Sequence, residues 1–278
     1  MTNLLAFGAT GQVGRELAAR GVPVLGRDVA DLSDPDACAA AIRARRPVAV
    51  INAAAYTAVD RAEAEEALAT TVNGTAPGAM ARTCADLGIP FVHISTDYVF
   101  DGSGTAPRMP EDPVAPLGAY GRSKLAGEAA VRDAGGVHAI LRTSWVVSAH
   151  GSNFVKTMLR LGAERDALRI VADQVGGPTP ARDIAAACTT IARDLRMAQS
   201  GTYHFAGAPD VSWADFARTI FAEAGLDCAV EDIPSADYPT PARRPLNSRL
   251  DCSATEDAFG IARPDWRGGL QQILKELS

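Results

Sequence analysis

The amino-acid sequence predicts an α/β fold: a doubly wound parallel sheet with helices on both faces, joined to a smaller, interleaved C-terminal substrate lobe. Three observations carry this expectation. Short apolar runs recur at residues 3–7 (NLLAF), 22–25, 48–51, 91–94 and 137–141, and the later ones are separated by alanine-rich stretches of helical character. These runs are continuous rather than alternating, as expected of strands covered on both faces. The first run ends in a glycine-rich turn that opens a helix. At 278 residues, and with roughly 150 residues per domain, the chain has room for a main domain and a lesser one.

Taken in order, residues 3–7 form a first strand and residues 12–20 a helix that stops at Gly21. Further helices are expected over residues 36–45, 60 to about 69, 74–87 and 119–133, each between or after apolar runs. From about Trp145 the texture changes. Loops are expected over 147–153 and 173–180, and a proline-rich segment spans 234–245. Residues 183–197 read as a helix and 202–206 as a strand, both able to return to the main sheet. The expected division is therefore residues 1–144, with about 181–208 returning, as the dinucleotide-binding domain. Residues 145–180 and 209–278 form the substrate lobe.

Composition excludes several function classes. With 27 basic against 33 acidic residues the net charge is −6, which supplies no general field for phosphate backbones, so nucleic acid is not expected as a partner. Uncharged stretches such as residues 47–59 fall short of the roughly 18 apolar residues of a membrane span. Met1 is followed by a strand-like run rather than a basic leader, so a cytoplasmic protein is expected. The five cysteines contain no C-x-x-C and the four histidines no H-E-x-x-H, so neither a disulfide framework nor a metal site is expected.

The turn after the first strand reads Gly8-Ala9-Thr10-Gly11-Gln12-Val13-Gly14. Gly8 would make the tight turn, Gly11 would let the backbone approach a pyrophosphate, and Gly14 would let helix pack on strand. The helix N-terminus would then offer free N–H groups to the anion, as in a Rossmann-type dinucleotide site. The second strand ends in Gly26-Arg27-Asp28. Arg27 suits a 2′-phosphate and favours NADPH, with NADH kept as the alternative because Asp28 stands beside it.

Tyr120 and Lys124 are spaced i and i+4 on an expected helix, so both side chains can serve one site. Three lysines stand in the chain against 24 arginines, so arginine supplies nearly every routine positive charge and Lys124 is an uncommon choice. A compact ammonium beside a phenol would draw its pKa toward the working range. Thr96 follows the fourth apolar run. There its hydroxyl would lie beyond the carboxyl end of a strand, where ligands bind in open α/β sheets.

Through residues 8–14, Asn52-Ala53-Ala54-Ala55, Ser95-Thr96-Asp97-Tyr98-Val99-Phe100 and residues 120–124, the chain resembles the extended short-chain dehydrogenase/reductase superfamily. Within it, FGATGQVGREL, NAAAYTAVDRAE, APLGAYGRSKLAGE, RTSWVV, DQVGGPTPA and YPTPARRPLNSRL resemble the dTDP-4-dehydrorhamnose reductases. That resemblance implies hydride transfer from NADPH to the C4 ketone of dTDP-6-deoxy-L-lyxo-4-hexulose, giving dTDP-L-rhamnose. Tyr120 would protonate the alkoxide, Lys124 would hold the ribose and lower the tyrosine's pKa, and Thr96 would bind the carbonyl oxygen.

By the same resemblance Gly11, Gln12, Val13, Asp31, Leu32, Ala55, Tyr56 and Thr57 would contact the cofactor. Thr96, Asp97, Trp145, Asn153 and Arg243 would contact the sugar nucleotide. Some relatives bind magnesium through an acid in the first helix, here Glu16, but residues 197–201 (MAQSG) offer no second acid. No metal ligand set is therefore expected, magnesium stays without support, and the state is a monomer or homodimer. Two other readings stay open: a non-catalytic NADP-binding regulatory subunit resembling that of methionine adenosyltransferase, and a nucleotide-sugar epimerase or dehydratase of the superfamily.

Overall fold

A computed structural model describes residues 3–278; Met1 and Thr2, which the first domain was expected to include, lie outside the described residues. The main layer is a six-stranded sheet built from β1 (Leu4–Phe7), β2 (Val24–Leu25), β3 (Ala49–Asn52), β4 (Phe91–Thr96), β5 (His138–Thr143) and, from late in the chain, Gly201–His204. The spatial order places Gly201–His204 beside β5, then β4, β3, β1 and β2, and every pairing is parallel. After β1 the chain first moves outward to β2, then returns to the other side of β1 for β3. The carboxyl ends of β1 and β3 thus flank the crevice at which ligands bind in such sheets.

The continuous apolar strands follow from what covers them. Leu5, Phe7, Val50, Phe91 and Ile140 face a core shared with Ile42, Met80 and Val131 of α2 (Pro35–Arg45), α5 (Ala76–Leu87) and α6 (Ala119–Asp133). The intervening Leu4, Ala6, Ile51, Val92 and Leu141 face Leu17 of α1 (Gln12–Ala19) and Ile184 and Ile191 of α8 (Ala181–Asp194). Each Leu, Ile or Phe so buried contributes about 1.5–3 kcal/mol, and the alternation of side chains puts half on each face.

The helix expected over residues 60–69 is instead two short ones, α3 (Val59–Ala62) and α4 (Glu66–Thr70). The break has a tertiary cause. In the gap, Glu63 reaches across to accept the N–H of Ala119 at 2.8 Å, capping the start of α6, while the carboxylate of Glu65 accepts the Tyr56 hydroxyl at 2.6 Å. A π-helical turn over Thr71–Thr75 precedes α5, so that helix begins later than expected. Within the turn, Asn73 is tied to Tyr56 N and O and to the Ser123 hydroxyl. The second strand is also shorter than expected, since Val22 and Pro23 stay outside β2.

The C-terminal lobe has its own core of Val155 and Met158 from α7 (Phe154–Glu164), Phe216, Ile220 and Phe221 from α9 (Trp213–Ala224), and Trp266, Leu270 and Ile273 from α11 (Trp266–Leu277). Small sheets frame it: β7 (Ala167–Val171) with β12 (Ala229–Ile233), and β8 (Val175–Gly176) between β11 (Val211–Ser212) and β13 (Asn247–Ser248). Among the described residues no helix is long and apolar enough to cross a membrane.

Candidate active site

The turn between β1 and α1 is shaped by its glycines. Gly8 has φ +106°, a region closed to most side chains, and a Cβ there would press on the Ala53 backbone at 2.9 Å. A Cβ on Gly14 would overlap the Gly8 carbonyl oxygen, so helix and turn touch backbone to backbone. Gly11 differs, since a Cβ would meet protein only at the ordinary distance of 3.4 Å, which leaves its open side toward the crevice. As N-cap of α1, Gly11 offers no side chain to the helix N–H groups, and the first turn has no acid. This is an anion cradle without an internal occupant.

From the cradle a cleft of about 670 Å³ extends across the carboxyl ends of the strands. Arg27, Asp31, Leu32, Ala55 and Thr57 line it. Arg27 is exposed, and Asp31 is held below the usual carboxylate range by the Ser33 backbone N–H, the Ser33 hydroxyl and the Arg27 charge. Thr96, Asp97, Tyr120, Lys124, Trp145 and Asn153 line the same cleft.

Tyr56 departs from the expectation. It does not border the cleft but packs in the core with its hydroxyl on Glu65, because the backbone of residues 55–57 alternates direction and only Ala55 and Thr57 face out. Arg243 is a second correction. It is exposed and off the cleft, whereas its neighbour Arg244 turns inward to the Asp60 carboxylate at 2.8 and 3.1 Å. Asp60 draws one of two adjacent arginines, and the other faces solvent.

Thr96 ends β4. Its hydroxyl donates to Asp97 Oδ1 at 3.1 Å and accepts the Tyr98 N–H at 3.2 Å. Burial pushes Asp97 up to about 6, with the Ser248 and Thr96 hydroxyls acting in the opposite direction. Burial also pushes the Tyr120 phenol up to about 12, against the Thr96 hydroxyl and with help from the Asp97 charge. Lys124 is 2% exposed, and burial lowers it to about 8. Its Nζ donates to Ile94 O at 2.7 Å and lies 3.4 Å from His93 Nε2. The expected lowering of the tyrosine by this lysine is therefore not what the geometry gives: Lys124 Nζ is turned to the strand, and desolvation dominates the phenol.

Gln12 and Asn153 both line the cleft and are bonded to each other. Gln12 Oε1 accepts Asn153 Nδ2 at 2.9 Å and the Ser148 hydroxyl at 2.8 Å, while Gln12 Nε2 donates to Val146 O. Asn153 also caps α7 by accepting the Lys156 N–H. The pair joins the first helix of one lobe to the first helix of the other. Trp145 has φ +47°, a strained value for a bulky residue, and stacks on Trp213 at 3.5 Å and 8°. Trp213 borders the cleft as well, as does Tyr98, whose ring meets Tyr120 edge-on at 5.5 Å.

Glu16 stands in a small cluster of polar donors. Glu16, His150 and Glu276 bring donor atoms within 4.8 Å of one another, and burial together with the Glu276 charge raises the Glu16 carboxyl while His150 lowers it. Residues 197–201 supply nothing here; Gln199 instead binds Ala258 O.

The whole chain, residues 1–278, matches the family model described as RmlD substrate binding domain. The chain belongs to this family. A dTDP-4-dehydrorhamnose reductase from Sinorhizobium fredii is 45% identical, the match covering 98% of this chain and 96% of the relative. The crystal structure of a dTDP-4-dehydrorhamnose reductase from Clostridium acetobutylicum superposes with TM-score 0.93 at 36% identity over 99% of both chains. That of a dTDP-4-dehydrorhamnose reductase from Bacillus anthracis, in complex with NADP, gives 0.91 at 32% identity over 99% of this chain and 100% of that one.

For this member of the RmlD family, sequence reasoning did not single out Tyr98 and Trp213, which both border the cleft. Tyr98 was within reach, lying two residues past Thr96 in the same motif. Trp213 stands 68 positions from Trp145, and no local spacing relates the two.

Proposed function

We propose that this chain reduces the C4 ketone of dTDP-6-deoxy-L-lyxo-4-hexulose to dTDP-L-rhamnose with NADPH. The observation that carries this reading is one cleft lined both by the glycine turn and by Thr96, Tyr120 and Lys124, in a chain 45% identical to a dTDP-4-dehydrorhamnose reductase. The residues fit a dinucleotide, since the uncapped start of α1 offers N–H groups and Gly11 leaves room beside them. They also fit a polar substrate. Asp97 Oδ2 and Thr143 Oγ1 are buried beside the cleft without a hydrogen-bond partner among the described residues, and buried polar atoms are ordinarily paired.

When bound, the dinucleotide supplies the hydride. Gly8, Gly11 and the N–H groups of α1 hold its pyrophosphate, Arg27 and Asp31 attend the adenosine half, and Lys124 the ribose nearer the sugar. Thr96 and Asp97 orient the ketone oxygen. Tyr120 donates the proton that turns the nascent alkoxide into an alcohol. A phenol raised to about 12 keeps its proton throughout the neutral range, as a donor must, yet remains a far stronger acid than the alcohol that the alkoxide becomes. The stacked indoles of Trp145 and Trp213 offer an apolar wall to the deoxysugar face.

The setting is cytoplasmic, which suits five free, buried thiols, and the protein acts as a monomer or homodimer. The test is incubation with the 4-keto sugar nucleotide and NADPH, following NADPH absorbance and identifying the product. Release of dTDP-L-rhamnose with stoichiometric oxidation is expected. Binding of NADPH without turnover would overturn the reading in favour of a regulatory subunit.

A further inference from the structure

Three buried side chains lie in a line beneath the cleft. Asn52 ends β3, His93 sits opposite it in register on β4, and Lys124 reaches down from α6. Asn52 and His93 are 0% exposed and Lys124 2%. The helix rides directly over the imidazole: a Cβ on Gly127 would stand 3.4 Å from His93 Nε2.

The hydrogen bonds fix the direction of this line. Asn52 Oδ1 accepts the Ala54 N–H at 3.2 Å, so its amide nitrogen is the end that faces His93 Nδ1, at 3.1 Å. An amide nitrogen only donates, and Nδ1 must therefore be the unprotonated nitrogen of the ring. The neutral imidazole then carries its proton on Nε2, which points at Lys124 Nζ 3.4 Å away. An ammonium group has no lone pair to receive that N–H, whereas a neutral amine has one, and it still donates to Ile94 O at 2.7 Å.

We propose that Asn52 and His93 are positioning residues for Lys124: Asn52 holds His93 in the Nε2–H tautomer, and His93 in turn stabilises Lys124 as a neutral amine, keeping its two protonation states close in energy. The inference rests on the reductase reading for its kinetic consequence alone. The other groups facing Lys124 act in known senses. Glu128, one turn along α6, favours the ammonium, but its charge is already neutralised by the Arg142 guanidinium of β5 at 2.7 and 2.8 Å. Tyr120 lies one turn back along α6, and Asp97 acts on that phenol. Burial lowers Lys124 to about 8 and holds His93 well below its ordinary value, the Lys124 charge adding to the effect. Both directions agree with a neutral ring facing a lysine that readily loses its proton.

The small number of lysines makes this measurable. Isotope-labelled lysine gives side-chain signals from Lys124, Lys156 and Lys275 alone, and Lys124→Met assigns the first. In the wild-type protein Lys124 is expected to titrate well below the other two, and nitrogen NMR of the four histidines to show His93 protonated on Nε2. In His93→Gln, an amide oxygen can turn to the lysine and accept from the ammonium. The Lys124 midpoint should then rise by about one unit, a tenfold change in the neutral fraction at fixed pH. The basic limb of the kcat profile should move with it while KM for the keto sugar changes little. A wild-type Lys124 titrating together with Lys156 and Lys275, or His93 protonated on Nδ1, overturns the proposal, and both are read on the wild-type protein once its signals are assigned. An unmoved Lys124 midpoint in folded His93→Gln overturns it as well. If the NMR results hold while the protein fails to reduce the keto sugar, it is the reductase reading that falls.

Discussion

Asp97→Asn offers a quantitative handle on the cleft. Asp97 is 2% exposed with one carboxylate oxygen lacking a partner, and burial raises it from 3.8 to about 6. A carboxyl raised in the folded state binds its proton more tightly there than in the unfolded chain. Its contribution to stability is thus fully present below pH 3.8 and is lost as pH rises toward 6. Linkage of this single carboxyl between the folded and unfolded states puts the resulting cost at about 1 kcal/mol near pH 4.5 and about 3 kcal/mol near pH 7.5. Asparagine is neutral at both, so whatever fixed cost its amide brings, the variant should gain about 2 kcal/mol on wild type between the two pH values. Denaturant titration of both proteins, followed by tryptophan fluorescence, measures the difference directly. A difference that does not change with pH, or that runs against the variant as pH rises, would refute the assignment of a desolvated carboxylate.

Other perturbations test separate parts of the structure. Tyr120→Phe should lower kcat by roughly 10²–10⁴-fold with NADPH affinity retained, as read by steady-state kinetics and fluorescence titration; unchanged turnover would exclude the phenol as proton donor. Gly14→Ala forces a methyl group onto the Gly8 carbonyl, so NADPH binding should be lost in calorimetry even if the circular dichroism spectrum survives. Glu128→Gln leaves the Arg142 guanidinium buried without its counter-charge, which should cost roughly 3 kcal/mol at neutral pH. Burial alone would raise Glu128, but the Arg142 and Ser95 bonds hold it below 4.5. The penalty should therefore shrink as pH falls through and below that value, and a penalty that grows in acid would contradict the pairing.

The sequence carried those features that depend on short spacings. Residues 4–7 and 49–51 are apolar without interruption because both faces of their strands are covered, and this is visible in any short window of the sequence. Gly11 and Gly14 meet Gly8 and Ala9 within a single strand-turn-helix unit, although Gly8 itself also stands against the distant Ala53 backbone. Tyr120 and Lys124 share a helix face by the pitch of the helix itself. Each of these is a local constraint, met by the chain wherever it folds.

Tertiary structure decided the rest, since long-range pairing has no local signature. Glu63 breaks a helix because the start of α6 needs its carboxylate, and Arg244 rather than Arg243 turns inward because Asp60 stands on one side of the segment. Gln12 meets Asn153 across 141 positions, and Glu16 meets His150 and Glu276 only where two helices and a loop converge. Lys124 could be picked out for its rarity, but its charge state could not be read. That state is set by desolvation and by an imidazole two strands' width from the end of β1, both consequences of how the sheet and helix pack.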